Sequence, residues 1–365
     1  MIIPVLVFCL GNRTKIRKGF LLFLLYIPFE ILISNPAPVF QSWQRYILFT
    51  IVIIAVSPLL QSNKFRCFRF NCLKYFIIAI VILSSLSFLC FFLGINYFKN
   101  KYGVIDYHVV ASGFGGLFSH SMLLGPISAI GTCTCVWLTY LSKKYKIIYI
   151  ILALSCAGST LFSASRSAVA GALFGCIIII YFYNRSKSKA IRNLIILAMI
   201  GVLSMPLWEG ALNGINTKNK GNVELGEYGS RTHKFNARIS EIEDNPILGI
   251  GFSAIDPNGD DYYDTSTGVI EPGSSWLGIL SMIGIIGLMF VVYFIINAFL
   301  ILKSSSIFYA PLLMGYLGFF IEHLIFEGYI FAGGSVLCFL FWLIVGVATD
   351  LQYIKLNNSN FIAIQ

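Results

Sequence analysis

Charged residues are scarce in this chain: only 12% of its 365 residues are Asp, Glu, Lys or Arg, whereas 57% are hydrophobic. Soluble domains carry about 25% charged residues, so the composition excludes a soluble globular protein. The apolar residues come in runs of about 17–25, which is the length of a helix that crosses a bilayer. The sequence therefore predicts an all-α integral membrane protein with about 10–11 transmembrane helices. The predicted spans are 19–34, 45–60, 75–95, 121–141, 147–163, 167–183, 193–209, 275–302, 306–325 and 329–348.

No linker or internal repeat divides the chain, so we expect one membrane domain in three parts. These are an N-terminal transmembrane bundle (1–209), one large external loop (210–274), and C-terminal transmembrane helices with a cytoplasmic tail (275–365). Residues 1–11 are apolar but short. They form either a partial extra span or an interfacial segment.

Motifs for nucleotides and metals are also missing. The chain has no GxxxxGK(S/T) phosphate-binding loop, no dinucleotide-binding glycine pattern and no HExxH motif. A pump driven by nucleotide hydrolysis is therefore not expected, and we predict neither a cofactor nor a metal. Asp260, Asp261 and Asp264 carry oxygen ligands for a divalent cation, but acidic turns of this kind are more often only solvated.

Acidic residues are nearly absent from one side of the predicted membrane. Six segments are predicted to be cytoplasmic: 12–18, 61–74, 142–146, 184–192, 303–305 and 349–365. They hold 17 of the 26 Lys and Arg residues but only one of the 16 Asp and Glu residues, Asp350. Short loops rich in Lys and Arg face the cytoplasm, so the long loop 210–274 faces the outside. None of the nine cysteines lies in the long external loops, which agrees with an oxidising compartment there. The net charge of +10 thus reflects membrane orientation and requires no nucleic acid.

The segment 229–251 is the most informative part of the external loop. Arg231, Lys234 and Arg238 recur at i, i+3 and i+7, so a helix aligns them on one face. Ser230 stands where a helix N-cap is expected. Free N–H groups at a helix start favour an anion, and an arginine there adds a bidentate donor for phosphate. The alternative is an interfacial helix whose cations meet lipid headgroups.

Another face of the same helix is apolar. Phe235, Ile239 and Ile242 fall at i, i+4 and i+7, which predicts that this face presses the helix onto a hydrophobic surface. A basic stripe held against a membrane domain in this way suits a protein that handles a lipid-linked phosphate.

Arg166 stands between two predicted spans, in the short connection 163–167. An arginine in such a place is costly unless it has a partner or a water-filled cavity, so it is a candidate for a second phosphate clamp. Snorkelling of its side chain to the outer headgroups is the alternative.

Ionisable residues near the outer end of the ninth span are further candidates: Glu322, His323 and Glu327. Intramembrane ionisable groups are functional by default, although an ion pair with an arginine is at least as good an explanation as proton transfer. Glu30, at the outer end of an early span, is a weaker candidate. His120 ends the glycine-rich external segment 96–120, whose glycines indicate a tight or re-entrant backbone.

Three local patterns, taken in order, resemble the bacterial O-antigen polymerase and O-antigen ligase superfamily of membrane proteins. The resemblance covers about residues 110–345. The patterns are the Ser-Arg motif in 163–168, the combination of Arg231, Phe235 and 246–251 (Pro-Ile-Leu-Gly-Ile-Gly), and 275–277 (Ser-Trp-Leu) followed by Gly284 and Gly287.

One departure from the family pattern distinguishes its two branches. Ligases carry a His-Asn pair just before the span that follows the loop, and this chain has Gly273 and Ser274 at those positions. The absence of the ligase histidine favours a polymerase. It also leaves the proton acceptor open among Glu271, His233 and Glu327.

The resemblance implies a membrane glycosyltransferase of the C-type fold in the bacterial inner membrane, with its active face in the periplasm. Its donor is a glycan on undecaprenyl pyrophosphate, transferred to the non-reducing end of a lipid-linked repeat unit. Arg166 and Arg231 are expected to hold the pyrophosphate, with Glu327 and Glu271 near the chemistry. Membrane lipid, a chain-length regulator and a flippase are the expected partners. Rival functions are an O-antigen ligase and a polysaccharide flippase without chemistry. The residues expected to contact substrate are Arg238, Lys234, His233, His120, Glu322 and His323.

Overall fold

The computed structural model describes residues 14–96, 114–184, 232–256 and 270–353, together with positions 188 and 192. Several predictions lie outside these residues: the extra segment 1–11, the span 193–209, the start of the charged helix at Arg231, and the acidic turn 260–264.

The described residues form an all-α protein, as predicted. Nine of the ten predicted spans coincide with helices, and the tenth is the undescribed 193–209. Among the described residues, six helical segments are long and apolar enough to cross a membrane, two shorter apolar helices accompany them, and the 17-residue helix Lys18–Ser34 is a ninth apolar helix. The apolar helices are α1 (Lys18–Ser34), α2 (Ser42–Val56), α3 (Asn63–Phe92), α4 (Ser121–Leu141), α5 (Lys146–Phe162), α6 (Arg166–Tyr183), α8 (Ser275–Ser304), α9 (Ala310–Phe326) and α10 (Val336–Asp350), and the amphipathic helix of the loop is α7 (Thr232–Asp244).

Large apolar side chains cover the outside of this bundle. Leu25 is 59% exposed, Leu32 is 70% exposed and Ile147 is 74% exposed. A water-soluble protein rarely exposes apolar surface on this scale, whereas lipid chains solvate it without cost. The protein is therefore a multi-pass membrane protein.

Helix α3 begins earlier than the sequence suggested. The segment 61–74 was expected to be a cytoplasmic loop, but the chain is helical from Asn63, and the Ser62 hydroxyl caps the helix by accepting a hydrogen bond from the Phe65 amide at 3.3 Å. The extra turns carry Arg69 into the protein, where its side chain is completely buried. The basic residues of this segment thus belong to a helix end and not to a loop.

Arg69 ties together the ends that the charge pattern assigned to the cytoplasm. Its Nε lies 2.7 Å from the Asp350 carboxylate, and its Nη1 donates to the Ser57 carbonyl at 2.9 Å. Strand β1 (Lys15–Ile16) pairs antiparallel with β2 (Leu60–Gln61) at the same end. The single acidic residue predicted on this side is therefore used to neutralise a buried arginine.

Helix α10 lies at the centre of the core. Trp342 on this helix is fully buried and makes edge contacts with Phe49 of α2 and Phe294 of α8. Helices α6 and α9 approach closely, because a Cβ added at Gly175 would lie 2.8 Å from the Gly315 carbonyl oxygen. Small residues of this kind let helix backbones pack tightly in membranes.

Candidate functional site

Arg166 stands on the first turn of α6, just after a tight turn. The Ser165 hydroxyl caps the helix by accepting from the Ala168 amide at 3.4 Å, and Ala164 adopts a left-handed φ of 52°. The turn packs on α4, since a Cβ added at Gly125 would lie 2.7 Å from the Ser163 hydroxyl. Arg166 itself is exposed. A rigid turn thus presents an arginine next to the positive end of a helix dipole.

The start of α8 is locked onto the turn that follows α9. The Ser275 amide donates to the Glu327 carbonyl at 3.0 Å, and the Ser275 hydroxyl donates to the same oxygen at 2.6 Å. The Tyr329 amide in turn donates to the Ser275 hydroxyl at 3.1 Å. These hydrogen bonds hold Glu327 at the first turn of α8.

Glu327 also reaches α6. Its carboxylate oxygen lies 3.5 Å from the hydroxyl of Ser167, the residue that follows Arg166. The N-termini of α6 and α8 therefore meet at Glu327. Two helix N-termini and an arginine at one place make a site that favours an anion.

Helix α7 is present where the charged segment predicted it, but its basic face is the more deeply buried one. Lys234 is only 7% exposed and Arg238 is fully buried, whereas Ile239, predicted to press onto the membrane domain, is 44% exposed. The predicted apolar contact face is therefore only partly present, since Phe235 and Ile242 are half-buried and Ile239 is exposed. The cations are buried more deeply because carboxylates compensate their charge. Lys234 Nζ lies 2.5 Å from Glu271, and Arg238 lies 2.6 Å from Glu241.

Glu241 fastens α7 to the chain that follows it. Its carboxylate accepts a hydrogen bond from the Asp256 amide at 2.7 Å. Burial raises the pKa of the Glu241 carboxyl above its usual value, although the neighbouring Arg238 charge acts in the opposite direction. Arg238 thus belongs to an internal ion pair and does not present its guanidinium at the surface.

The hexapeptide 246–251 packs at a break in α8. The helix is interrupted at Ile283 and Gly284. The Ile250 amide donates to the Ser281 carbonyl at 2.8 Å, and the Ile285 amide donates to the Pro246 carbonyl at 3.0 Å. The hexapeptide therefore supplies hydrogen bonds that the broken helix lacks, and this fixes the loop against the membrane domain.

Glu30 secures the end of this segment. It is completely buried in α1, and its carboxylate accepts from the Phe252 amide at 2.9 Å and from the Ser34 hydroxyl at 2.6 Å. Tyr26, one turn earlier, donates to the Ile283 carbonyl at 2.8 Å. By sequence alone, Glu30 is a weaker candidate than Glu322, His323 and Glu327. Its position as an acid inside an apolar span was the signal that could have raised it.

The remaining predicted residues make local contacts. His323 is buried with its Nδ1 2.9 Å from the Tyr329 hydroxyl, and the His120 ring caps α4 by accepting from the Met122 amide at 3.1 Å. Glu322 is half-buried against α6, where a Cβ added at Gly171 would lie 2.8 Å from its carboxylate. His233 is partly buried on α7. Within the described ranges, no group of three or more His, Cys, Asp or Glu side chains could hold a metal ion.

Residues 150–292 match the family model described as O-antigen ligase. The prediction of the O-antigen polymerase and ligase superfamily is confirmed. The matched segment, less than half of the chain, runs from α5 to the middle of α8 and contains Arg166, Arg231, Lys234, Arg238 and Glu271. No curated protein matches the chain. The family suggests an enzyme of the glycosyltransferase type.

Proposed function

We propose that this protein is a polymerase of O-antigen or a related surface polysaccharide. It transfers the growing glycan from undecaprenyl pyrophosphate to the non-reducing end of a lipid-linked repeat unit, at the periplasmic face of the bacterial inner membrane. The observation that carries this proposal is the meeting of the N-termini of α6 and α8 at Glu327, with the exposed Arg166 on the first turn of α6.

The reaction needs stabilisation of a leaving group more than a strong base. An acceptor hydroxyl oxygen bonds to the anomeric carbon of the donor, while the bond from that carbon to the pyrophosphate oxygen breaks. The electron pair leaves with the lipid pyrophosphate, whose developing charge is met by Arg166 and the helix dipoles. Fixed cations and dipoles of this kind supply much of the rate enhancement in such sites.

The hydroxyl proton needs an acceptor, and we assign it to Glu327. Its carboxylate lies 3.5 Å from the Ser167 hydroxyl beside the clamp residue Arg166, and its backbone carbonyl is held by Ser275 at the start of α8. Glu271 is the weaker candidate, because its carboxylate is engaged with Lys234.

Lys234 and Arg238 take a positioning role in this proposal. The Lys234–Glu271 ion pair joins α7 to the segment before α8, and the Arg238–Glu241 pair within α7 lies beside the Asp256 amide that Glu241 binds. Arg231, which immediately precedes α7, is the second pyrophosphate clamp. His233, His120, Glu322 and His323 remain candidates for contacts with the glycan. A C-type glycosyltransferase fold, a flippase that delivers the repeat unit and a chain-length regulator complete the proposal.

Gly273 supports a polymerase over a ligase. Its φ of 74° lies in the left-handed region, and a Cβ added there would lie 3.1 Å from the Cβ of Lys234. Any side chain at this position would crowd Lys234 on α7 and would need a left-handed backbone, which is uncommon for residues other than glycine. The backbone before α8 therefore suits the glycine, and an acceptor that needs a histidine at this point is disfavoured.

Purified full-length protein in nanodiscs, given a lipid-linked repeat unit, tests the proposal. We expect a ladder of lipid-linked polymer, and Arg166→Ala should lower the rate by about 100-fold or more, as loss of a charge-stabilising donor does. Arg166→Lys should retain part of the activity. Lys144→Ala, an exposed cation predicted on the cytoplasmic side, serves as the matched control and should be unchanged.

Two outcomes would contradict the proposal. A full polymerisation rate from Arg166→Ala would remove the clamp assignment. Transfer of the glycan to a lipid A–core acceptor, with no lipid-linked polymer formed, would establish a ligase instead.

A further inference from the structure

A cavity of about 210 Å³ lies beside the site formed by Arg166 and Glu327, and the proposed reaction assigns no substrate to this cavity. It is bounded by α2, the segment before α8 and the turn after α9, and it is open on one side. Its lining includes Arg45, Ser253, Pro272, Ser275, Gly328 and Gly334.

Arg45 gives this cavity a positive charge. The residue is half-buried on the second turn of α2, and its Nη1 donates to the Ser253 hydroxyl at 3.2 Å. The guanidinium is therefore held against the protein at the cavity and does not simply extend to the headgroups. A guanidinium presents planar donors that match phosphate oxygens.

Ser253, which accepts the hydrogen bond from Arg45, has an unfavourable backbone conformation. Its φ is 56°, which is uncommon for a residue other than glycine, asparagine or aspartate. The preceding amide, that of Phe252, is fixed by the buried carboxylate of Glu30. Backbone strain that the surrounding structure maintains in this way clusters at functional sites.

The rest of the lining is apolar and reaches the lipid-facing surface. Met282, Ile330 and Phe331 line the cavity, as does Leu48, which is 53% exposed on the outside of α2. A molecule with a hydrocarbon chain could thus enter sideways from the membrane. A positive end and an apolar flank fit an amphiphile with a phosphate head.

The cavity shares a wall with the Arg166 site. Ser275 and Gly328 line the cavity, and Ser275 also holds Glu327, whose carboxylate faces Ser167 beside Arg166. Polymerisation joins two substrates that both carry a lipid pyrophosphate, whereas the Arg166 clamp holds one.

We propose that the Arg45 cavity binds the lipid pyrophosphate of the second substrate, the acceptor repeat unit. This assignment rests on the proposed function. Arg45 binds the pyrophosphate, and the apolar lining beside Leu48 contacts the first isoprene units of the lipid.

Two variants separate the charge of the cavity from its volume. Arg45→Ala removes the cation, and Arg45→Lys retains a charge without the planar fork. Gly334→Phe fills the cavity without a backbone clash, because a Cβ added at Gly334 meets no atom within 4 Å. Leu154→Phe, on the exposed side of α5, is the control for an added aromatic ring.

The probe is undecaprenyl pyrophosphate with a photoreactive diazirine near its head, added to full-length protein in phosphatidylcholine nanodiscs. Peptide mapping then locates the labelled residues. We expect labelling in two regions, one around Arg166 and the other within 45–49 or 328–334. Arg45→Ala and Gly334→Phe should weaken only the second labelling, by roughly tenfold to hundredfold for the lost arginine. Arg166→Ala should weaken only the first.

Three outcomes would overturn the assignment. Labelling confined to the Arg166 region would leave the proposed function intact with a single lipid site. Undiminished second labelling in Arg45→Ala and Gly334→Phe would place the lipid elsewhere. Displacement by an equal amount of phosphatidylglycerol would show a general headgroup site. Labelling confined to the Arg45 region would instead keep the cavity as a lipid-pyrophosphate site and remove the donor clamp at Arg166.

Discussion

Glu30 shows how a single polar residue can serve a membrane helix. A carboxylate inside an apolar span is costly unless its hydrogen-bonding capacity is used. Here one oxygen accepts from the Phe252 amide and the other from the Ser34 hydroxyl. The residue therefore supplies the acceptor that the segment after the hexapeptide 246–251 needs in order to be buried.

Replacing Glu30 should lower the free energy of unfolding of the protein. Glu30→Ala leaves the buried Phe252 amide without its acceptor, which costs about 1–3 kcal/mol. We expect a lower Tm for the purified protein, measured by fluorescence-detected size exclusion after heating. Glu30→Gln keeps an oxygen acceptor of the same shape and should lose less. A Glu30→Ala protein that melts with the wild type would refute the anchoring role.

Sequence patterns identified the residue types of the site better than their orientations. The spacing of Lys234 and Arg238 predicted their shared face on α7, and the structure keeps them together. The spacing did not predict that this face is buried, because burial depends on contacts outside α7. Lys234 pairs with Glu271, which is distant in the sequence, and the Glu241 carboxylate also accepts from the Asp256 amide. Pairing across the fold decides which face of a charged helix is inside.

At the scale of secondary-structure elements, the break in α8 depends on a glycine at position 284. Gly284 has a φ of 63°, and a Cβ added there would lie 2.1 Å from the Ile247 carbonyl oxygen. The sequence marked Gly284 and the hexapeptide 246–251 as parts of a family pattern. Their mutual contact, which explains both, required the three-dimensional structure.

Gly284→Ala should therefore separate the loop from the membrane domain. The substitution adds both backbone strain and a clash with backbone, which cannot move as a flexible side chain does. We expect loss of polymerisation together with a lower Tm. Gly19→Ala is the matched control, since a Cβ there makes only ordinary contacts of 3.5 Å and 3.6 Å. Wild-type stability of Gly284→Ala would show that the docking of the hexapeptide is not needed.

At the scale of the whole molecule, hydropathy and charge predicted most of the architecture. Nine helices occupy their predicted spans because about 20 apolar residues have few alternatives in a bilayer. Helix α3 contains its predicted span but begins earlier, because its basic first turns were assigned to a loop although Arg69 is buried against Asp350. Composition identifies the part of a helix that crosses lipid, but it does not identify the turns that continue beyond it.

The orientation of the bundle can be tested with native and introduced cysteines. Cys67 is exposed on the side predicted to be cytoplasmic, and Asn245 is exposed at the end of α7. A membrane-impermeant maleimide should label Asn245→Cys in intact spheroplasts and should reach Cys67 only after lysis. A Cys67→Ser variant measures the background labelling of the other cysteines. The reverse pattern would place the site in the cytoplasm and exclude a periplasmic reaction.

The most direct test of the central claim is a lipopolysaccharide gel from the source strain after this gene is deleted and then restored. The account predicts that deletion reduces the ladder to a core bearing one repeat unit. Wild type should restore the ladder, whereas Arg166→Ala, although inserted and abundant, should not. Loss of every repeat with accumulation of lipid-linked polymer would identify a ligase, and an unchanged ladder would contradict a role in making this glycan.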